Sequence, residues 1–67
     1  MMELNCIKQV LDDKGISQAW LAKKLEKSYS IVNAYACNRI QPPLETLFEI
    51  ARILNIEANE LLVKKSK

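Results

Sequence analysis

SQAWLAKKLEKSYSIVNAYACN, residues 17–38, reads as two short helices joined by a tight turn. Ser17 and Ser28 each stand where a hydroxyl can accept a hydrogen bond from an orphan amide of a first helical turn. Each precedes a segment with its own apolar stripe. In the first, Leu21, Ala22 and Leu25 share a face; in the second, Ile31, Val32 and Tyr35 do. Tyr29, Ser30, Asn33, Ala34 and Cys37 are then expected to face away from the core. The outward side of the second helix is the candidate functional surface.

Working outward, Leu4, Ile7, Val10 and Leu11 recur at helical spacing and predict a first helix over 3–14. Gly15, the one glycine of the chain, suits a left-handed C-cap, and Ile16 follows as a hydrophobic anchor. The pair itself occupies 18–25 and 29–37, with Glu26 and Lys27 in the turn. Asn38 closes the second of the two, because asparagine tolerates the left-handed stop second only to glycine. Pro42 and Pro43 deny helix to the residues before them, so Arg39 to Pro43 is a loop. A fourth helix over 44–54 sends Leu44, Leu47, Ile50, Ala51 and Leu54 to the core and leaves Phe48 and Ile53 over. A short fifth helix over 58–63 folds Leu61 and Leu62 back, and Lys64 to Lys67 are expected to fray. With short connections and no strand-like alternation, the chain reads as one all-α domain, residues 1–67, of five small helices.

At 67 residues the domain lies near the lower limit for folding without staples. It has no histidine, and Cys6 and Cys37 lie in separate segments, which excludes a zinc site. Neither a disulfide nor a cofactor is expected, and Cys37 has only Arg39 near it in sequence to activate a thiol. No apolar run approaches membrane-spanning length and no leader pattern opens the chain, so the expectation is a soluble cytoplasmic protein. An enzyme is disfavoured as well. No acid–base or nucleophile constellation is present, and Asp12 and Asp13, adjacent on a helix, point apart. The formal net charge is only +2, but it is segregated. Residues 14–41 carry Lys14, Lys23, Lys24, Lys27 and Arg39 against Glu26 alone; residues 42–60 carry Glu45, Glu49, Glu57 and Glu60 against Arg52.

The arrangement resembles the phage-repressor-type helix-turn-helix family, also called Cro/repressor-like or XRE-type, over nearly the whole chain. SQAWLAKKL matches its second helix, with Ala22 where two helices must approach closely. Val32 and Tyr35 match the apolar positions of its recognition helix, and QPPLETLFEIARILNI matches its proline loop, fourth helix and hydrophobic close. The resemblance implies a lambda-repressor-like DNA-binding domain, and with it sequence-specific binding of double-stranded DNA by a small transcriptional regulator. Such proteins act as homodimers that place two recognition helices about 34 Å apart on a palindromic operator.

Carried onto this chain, the family's roles make Tyr29, Ser30, Asn33 and Ala34 the candidate base readers. Asn33 suits a bidentate pairing with adenine and Ala34 a thymine methyl; Tyr29 is alternatively a phosphate contact. Ser17, Gln18, Ser28, Arg39 and Lys27 are the candidate phosphate contacts, a role compatible with capping for the two serines. Phe48, Ile53, Leu62 and Val63, as surplus apolar residues, are the candidate dimer interface. Five features depart from the family's pattern. Glu26 stands where glycine is usual, at a left-handed cost of about 1–2 kcal/mol that would reshape the turn. Ala36 replaces a usual glutamate and Asn38 a usual glycine, and the loop offers only Arg39 as a base. Trp20 takes a position that is usually polar; it is expected to pack on Tyr35 or Ala36, with a surface position as the alternative. The rival reading is a protein-interaction module that keeps the fold without specific DNA binding.

Overall fold

Most helix boundaries can be traced to a local signal. The computed structural model describes residues 3–63 and holds α1 (Ile7–Lys14), α2 (Gln18–Leu25), α3 (Tyr29–Ala36) and α4 (Leu44–Leu54), followed by a 3₁₀ helix, Ala58–Leu61. The Ser17 hydroxyl accepts from the Trp20 amide at 3.0 Å, and the Ser28 hydroxyl from the Ile31 amide at 3.2 Å. Gly15 closes α1 at φ 69°, as its lack of a Cβ allows. Asn55 closes α4 in the same left-handed region, at φ 61°. Among the described residues no helix is long and apolar enough to cross a membrane.

The core gathers the stripes read from sequence. Ile7 and Leu11 of α1, Leu21, Ala22 and Leu25 of α2, and Val32 and Tyr35 of α3 meet Leu47, Ile50, Ala51 and Leu54 of α4, with Leu61 closing the base. Ile16 packs against this cluster as anchor, and Ile31 and Ile53 lie partly buried at its margin. The small Ala22 is buried in α2, which packs against α3.

The chain ends depart from expectation. The first helix begins at Ile7, because the chain before it pairs antiparallel with the end of the chain through an Asn5–Leu62 bridge. The Cys6 amide donates to the Leu61 carbonyl at 2.8 Å and the Val63 amide to that of Leu4 at 3.1 Å. Asparagine favours this outcome, since its carboxamide competes with the helix for backbone partners; here Asn5 Oδ1 accepts from the Ile7 amide. Leu4 is therefore exposed rather than core. The expected fifth helix shrinks to one 3₁₀ turn for the same reason, because Leu62 leaves to pair with Asn5. Only Leu61 of that leucine pair is buried; Leu62 is exposed. Leu44, also expected in the core, is 68% exposed at the first turn of α4, ahead of the point where the helix meets its neighbours. The expectation for Lys64 to Lys67 lies outside the described residues.

Trp20 also differs from the packing expected of it. It remains 41% exposed, with the Lys24 ammonium 5.3 Å from its ring centroid, one turn along α2. Glu26 does not reshape the turn. It adopts the left-handed conformation at φ 58°, and Lys27 N donates to the Ala22 carbonyl at 3.0 Å, closing α2 as a glycine would.

Candidate nucleic-acid interface

The polar side of the α2–α3 pair is built from residues that the two serine caps bring together. Gln18, the first residue of α2, lies beside Asn33 in the middle of α3; Asn33 Nδ2 donates to Gln18 Oε1 at 2.9 Å. From the loop after α3, Arg39 Nη2 donates to Asn33 Oδ1 at 3.2 Å. Three candidate contacts thus form one chain, Gln18–Asn33–Arg39, linking the start of α2, the middle of α3 and the following loop. The Cys37 thiol approaches the same oxygen at 3.8 Å, a weak contact.

Tyr29 and Ser30, at the start of α3, are exposed, and Asn33 is half-buried between its partners. Ala34 is corrected by the structure. It is only 6% exposed; its carbonyl accepts from the Arg39 and Ile40 amides, at 3.0 and 3.4 Å, where the chain turns at the end of α3. A methyl this buried is not offered to a thymine methyl, so the outward face of α3 is Tyr29, Ser30 and Asn33 with Cys37 behind them.

The candidate phosphate contacts fall around this face. Ser17, Ser28, Lys27 and Arg39 are exposed and Gln18 is half-buried. Ser17 and Ser28 serve as caps, each accepting from one first-turn amide of its helix; a helix start carries further amides without an intrahelical partner, which suit an anion. Among the described residues the one ion pair is Lys8 with Asp12, at 3.6 Å, so neither Arg39 nor the lysines of α2 and its turn are neutralised by a carboxylate there. The candidate dimer residues divide. Phe48 is 56% exposed, and Leu62 and Val63 are exposed, whereas Ile53 is spent partly on the core.

A polar cluster behind the recognition face had not been read from the sequence. Asn38 closes α3 at φ 62°, as expected of it, but its carboxamide also binds the extended N-terminal segment, and Asn5 and Gln41 join it. Asn5 and Asn38 lie far apart in the chain, so no spacing rule connects them. The available signal was chemical: an asparagine in the first turn of an expected helix competes for the backbone partners that the helix needs.

Two packed helices joined by a tight left-handed turn, the second offering a polar face flanked by cations, define a helix-turn-helix DNA-binding domain. The chain belongs to the XRE-type family of such domains: the family model described as Helix-turn-helix matches residues 7–61. Among solved structures it is similar to a "putative DNA-binding protein" from Bacteroides fragilis, with 35% sequence identity, coverage of 92% of this chain and 100% of that one, and a TM-score of 0.88. A search of curated proteins found no match.

Proposed function

We propose that this chain binds double-stranded DNA sequence-specifically, as a small non-enzymatic transcriptional regulator in the cytoplasm that acts as a homodimer on a palindromic operator. The observation that carries this reading is the Gln18–Asn33–Arg39 chain on the outward face of α3. It holds the carboxamide of Asn33 before any base is met, with one N–H still free to donate and one lone pair on Oδ1 free to accept once the Cys37 thiol turns aside. That is the complement of an adenine edge in the major groove. Tyr29 and Ser30 would reach flanking bases or phosphates. Gln18, Arg39, Lys27 and the two capped helix starts would grip the backbone on either side.

A single half-site read by three side chains would bind weakly, which favours two copies. Phe48 and Leu44 lie exposed one turn apart on α4, with Glu45 and Arg52 exposed beside them. A two-fold axis near Phe48 would set α4 antiparallel against its copy, joining the phenylalanines and placing Glu45 of each chain opposite Arg52 of the other. Leu62 and Val63 would extend the interface; Ile53 would contribute only its outer edge.

The test is selection from a randomised duplex library at low and at moderate salt, with sedimentation of the free and DNA-bound protein. The expected result is an enriched palindrome, affinity that falls steeply with salt, and a dimer on DNA. Asn33→Ala should relax preference at one base pair per half-site, and Phe48→Glu should abolish the dimer while leaving the monomer folded. Unselective, weak binding even at low salt would remove the DNA reading. It would favour the interaction module, a reading supported by one observation: α3 itself carries no cation, and Arg39 is already engaged with Asn33.

A further inference from the structure

We infer that Asn38 and Asn5 are positioning residues for DNA recognition: they lock the extended N-terminal segment onto the end of α3 and so fix Arg39 and, through it, Asn33. This inference rests on the DNA-binding reading above. Asn38 Oδ1 accepts from the Leu4 amide at 2.8 Å, the Asn5 amide at 2.9 Å and Gln41 Nε2 at 3.0 Å, while its Nδ2 donates to the Asn5 carbonyl at 3.0 Å. Asn5 answers in the other direction. Its Nδ2 donates to the Tyr35 carbonyl at 3.0 Å and to Gln41 Oε1 at 2.7 Å, and its Oδ1 accepts from the Ile7 amide at 3.1 Å. Asn5 is only 3% exposed, and among the described residues no buried side-chain nitrogen or oxygen lacks a partner. A carboxamide cluster this fully bonded has one arrangement, because any shift leaves buried donors unmatched.

Two features carry the role beyond stability. Backbone preference alone favours glycine at φ 62°, yet the residue here is one whose side chain makes four hydrogen bonds that glycine cannot make. The next residue is Arg39, whose amide donates to the Ala34 carbonyl and whose guanidinium holds Asn33, itself bonded to Gln18. Two hydrogen-bonded sets, the N-terminal segment with Asn38 and Arg39 with Asn33 and Gln18, are therefore joined by the Asn38–Arg39 peptide bond, which carries the position of the first to the second. The carboxamides of this lock carry no charge, so it will not weaken with salt as phosphate contacts do.

The test compares wild type, Asn38→Gly and Gln41→Ala on the library-selected duplex and on a scrambled one, at a temperature where each is fully folded by circular dichroism. Asn38→Gly is expected to lose about tenfold in affinity for the selected duplex, the scale of one disturbed base contact, and no more than about twofold for the scrambled one, where only the phosphate contact of Arg39 is disturbed. In an Asn33→Ala background the same change should cost no more than about twofold further, because the two residues act on one contact. Asn38→Gly that lowers the melting temperature but binds the selected duplex like wild type would overturn the inference, as would an equal loss in both backgrounds. If Asn38→Gly does not fold, Gln41→Ala carries the comparison, with an expected loss of about threefold for a partial disturbance of that contact; wild-type affinity would overturn it. If wild type itself selects no sequence, the DNA reading falls separately. The lock is then read from amide exchange at Arg39 and Ile40: faster exchange in Asn38→Gly supports it and unchanged protection overturns it.

Discussion

Glu26 and Asn38 occupy equivalent places, one closing α2 and the other following α3, and hold nearly the same left-handed backbone, φ 58° and 62°. Around them the structure differs completely. The Glu26 side chain is exposed and makes no hydrogen bond among the described residues, while the Asn38 carboxamide makes four and joins the N-terminal segment to the end of α3. A left-handed non-glycine residue is thus tolerated for two separate reasons. At Glu26 the surrounding helices hold the turn closed despite the residue; at Asn38 the residue is what holds its surroundings together.

The sharpest way to break this contrast is at the buried partner. Asn5→Ala removes the donor from the Tyr35 carbonyl and Gln41 and the acceptor from the Ile7 amide, and is expected to cost about 2–3 kcal/mol in urea unfolding. A loss below about 0.5 kcal/mol would mean that water replaces the network at little cost. Asn38→Gly comes next, at about 1–2 kcal/mol destabilising, since the lost hydrogen bonds outweigh the relieved backbone. Ser28→Ala, which removes only a cap from α3, should cost about 1 kcal/mol; the thermal midpoint measures it. Glu26→Gly should change stability in the opposite direction, a gain of about 0.5–1 kcal/mol once the extra freedom of glycine in the unfolded chain is counted. If Glu26→Gly and Asn38→Gly shift the midpoint with the same sign, the distinction between the two turns fails. Smallest of all, Lys24→Ala is expected to cost under about 0.5 kcal/mol, because its contact with Trp20 is exposed to solvent.

What was legible in the chain was local. The apolar stripes of α2 and α3 and most of that of α4, the two serine caps, the left-handed Gly15 and Asn38, and the proline loop follow from neighbours within about a helical turn, and these local rules agree with one another. The same rules misplaced Leu4, Leu44 and Leu62. Spacing shows which residues share a helix face, but not where along the helix a neighbour begins. Ala34 was misjudged differently, because the spacing within α3 does not show how closely its neighbours approach that side of the helix.

The sequence by itself determined that this is an all-helical domain with a helix-turn-helix at its centre, because helical periodicity and capping are encoded within a few residues. Only the tertiary structure decided how the ends are used: Asn5 left the first helix to meet Asn38 and Gln41, and Leu62 left the last to pair with Asn5. Those choices rest on hydrogen-bond satisfaction across more than thirty residues of chain. A buried carboxamide must find every partner it needs, and which distant groups supply them is settled only when the helices have packed.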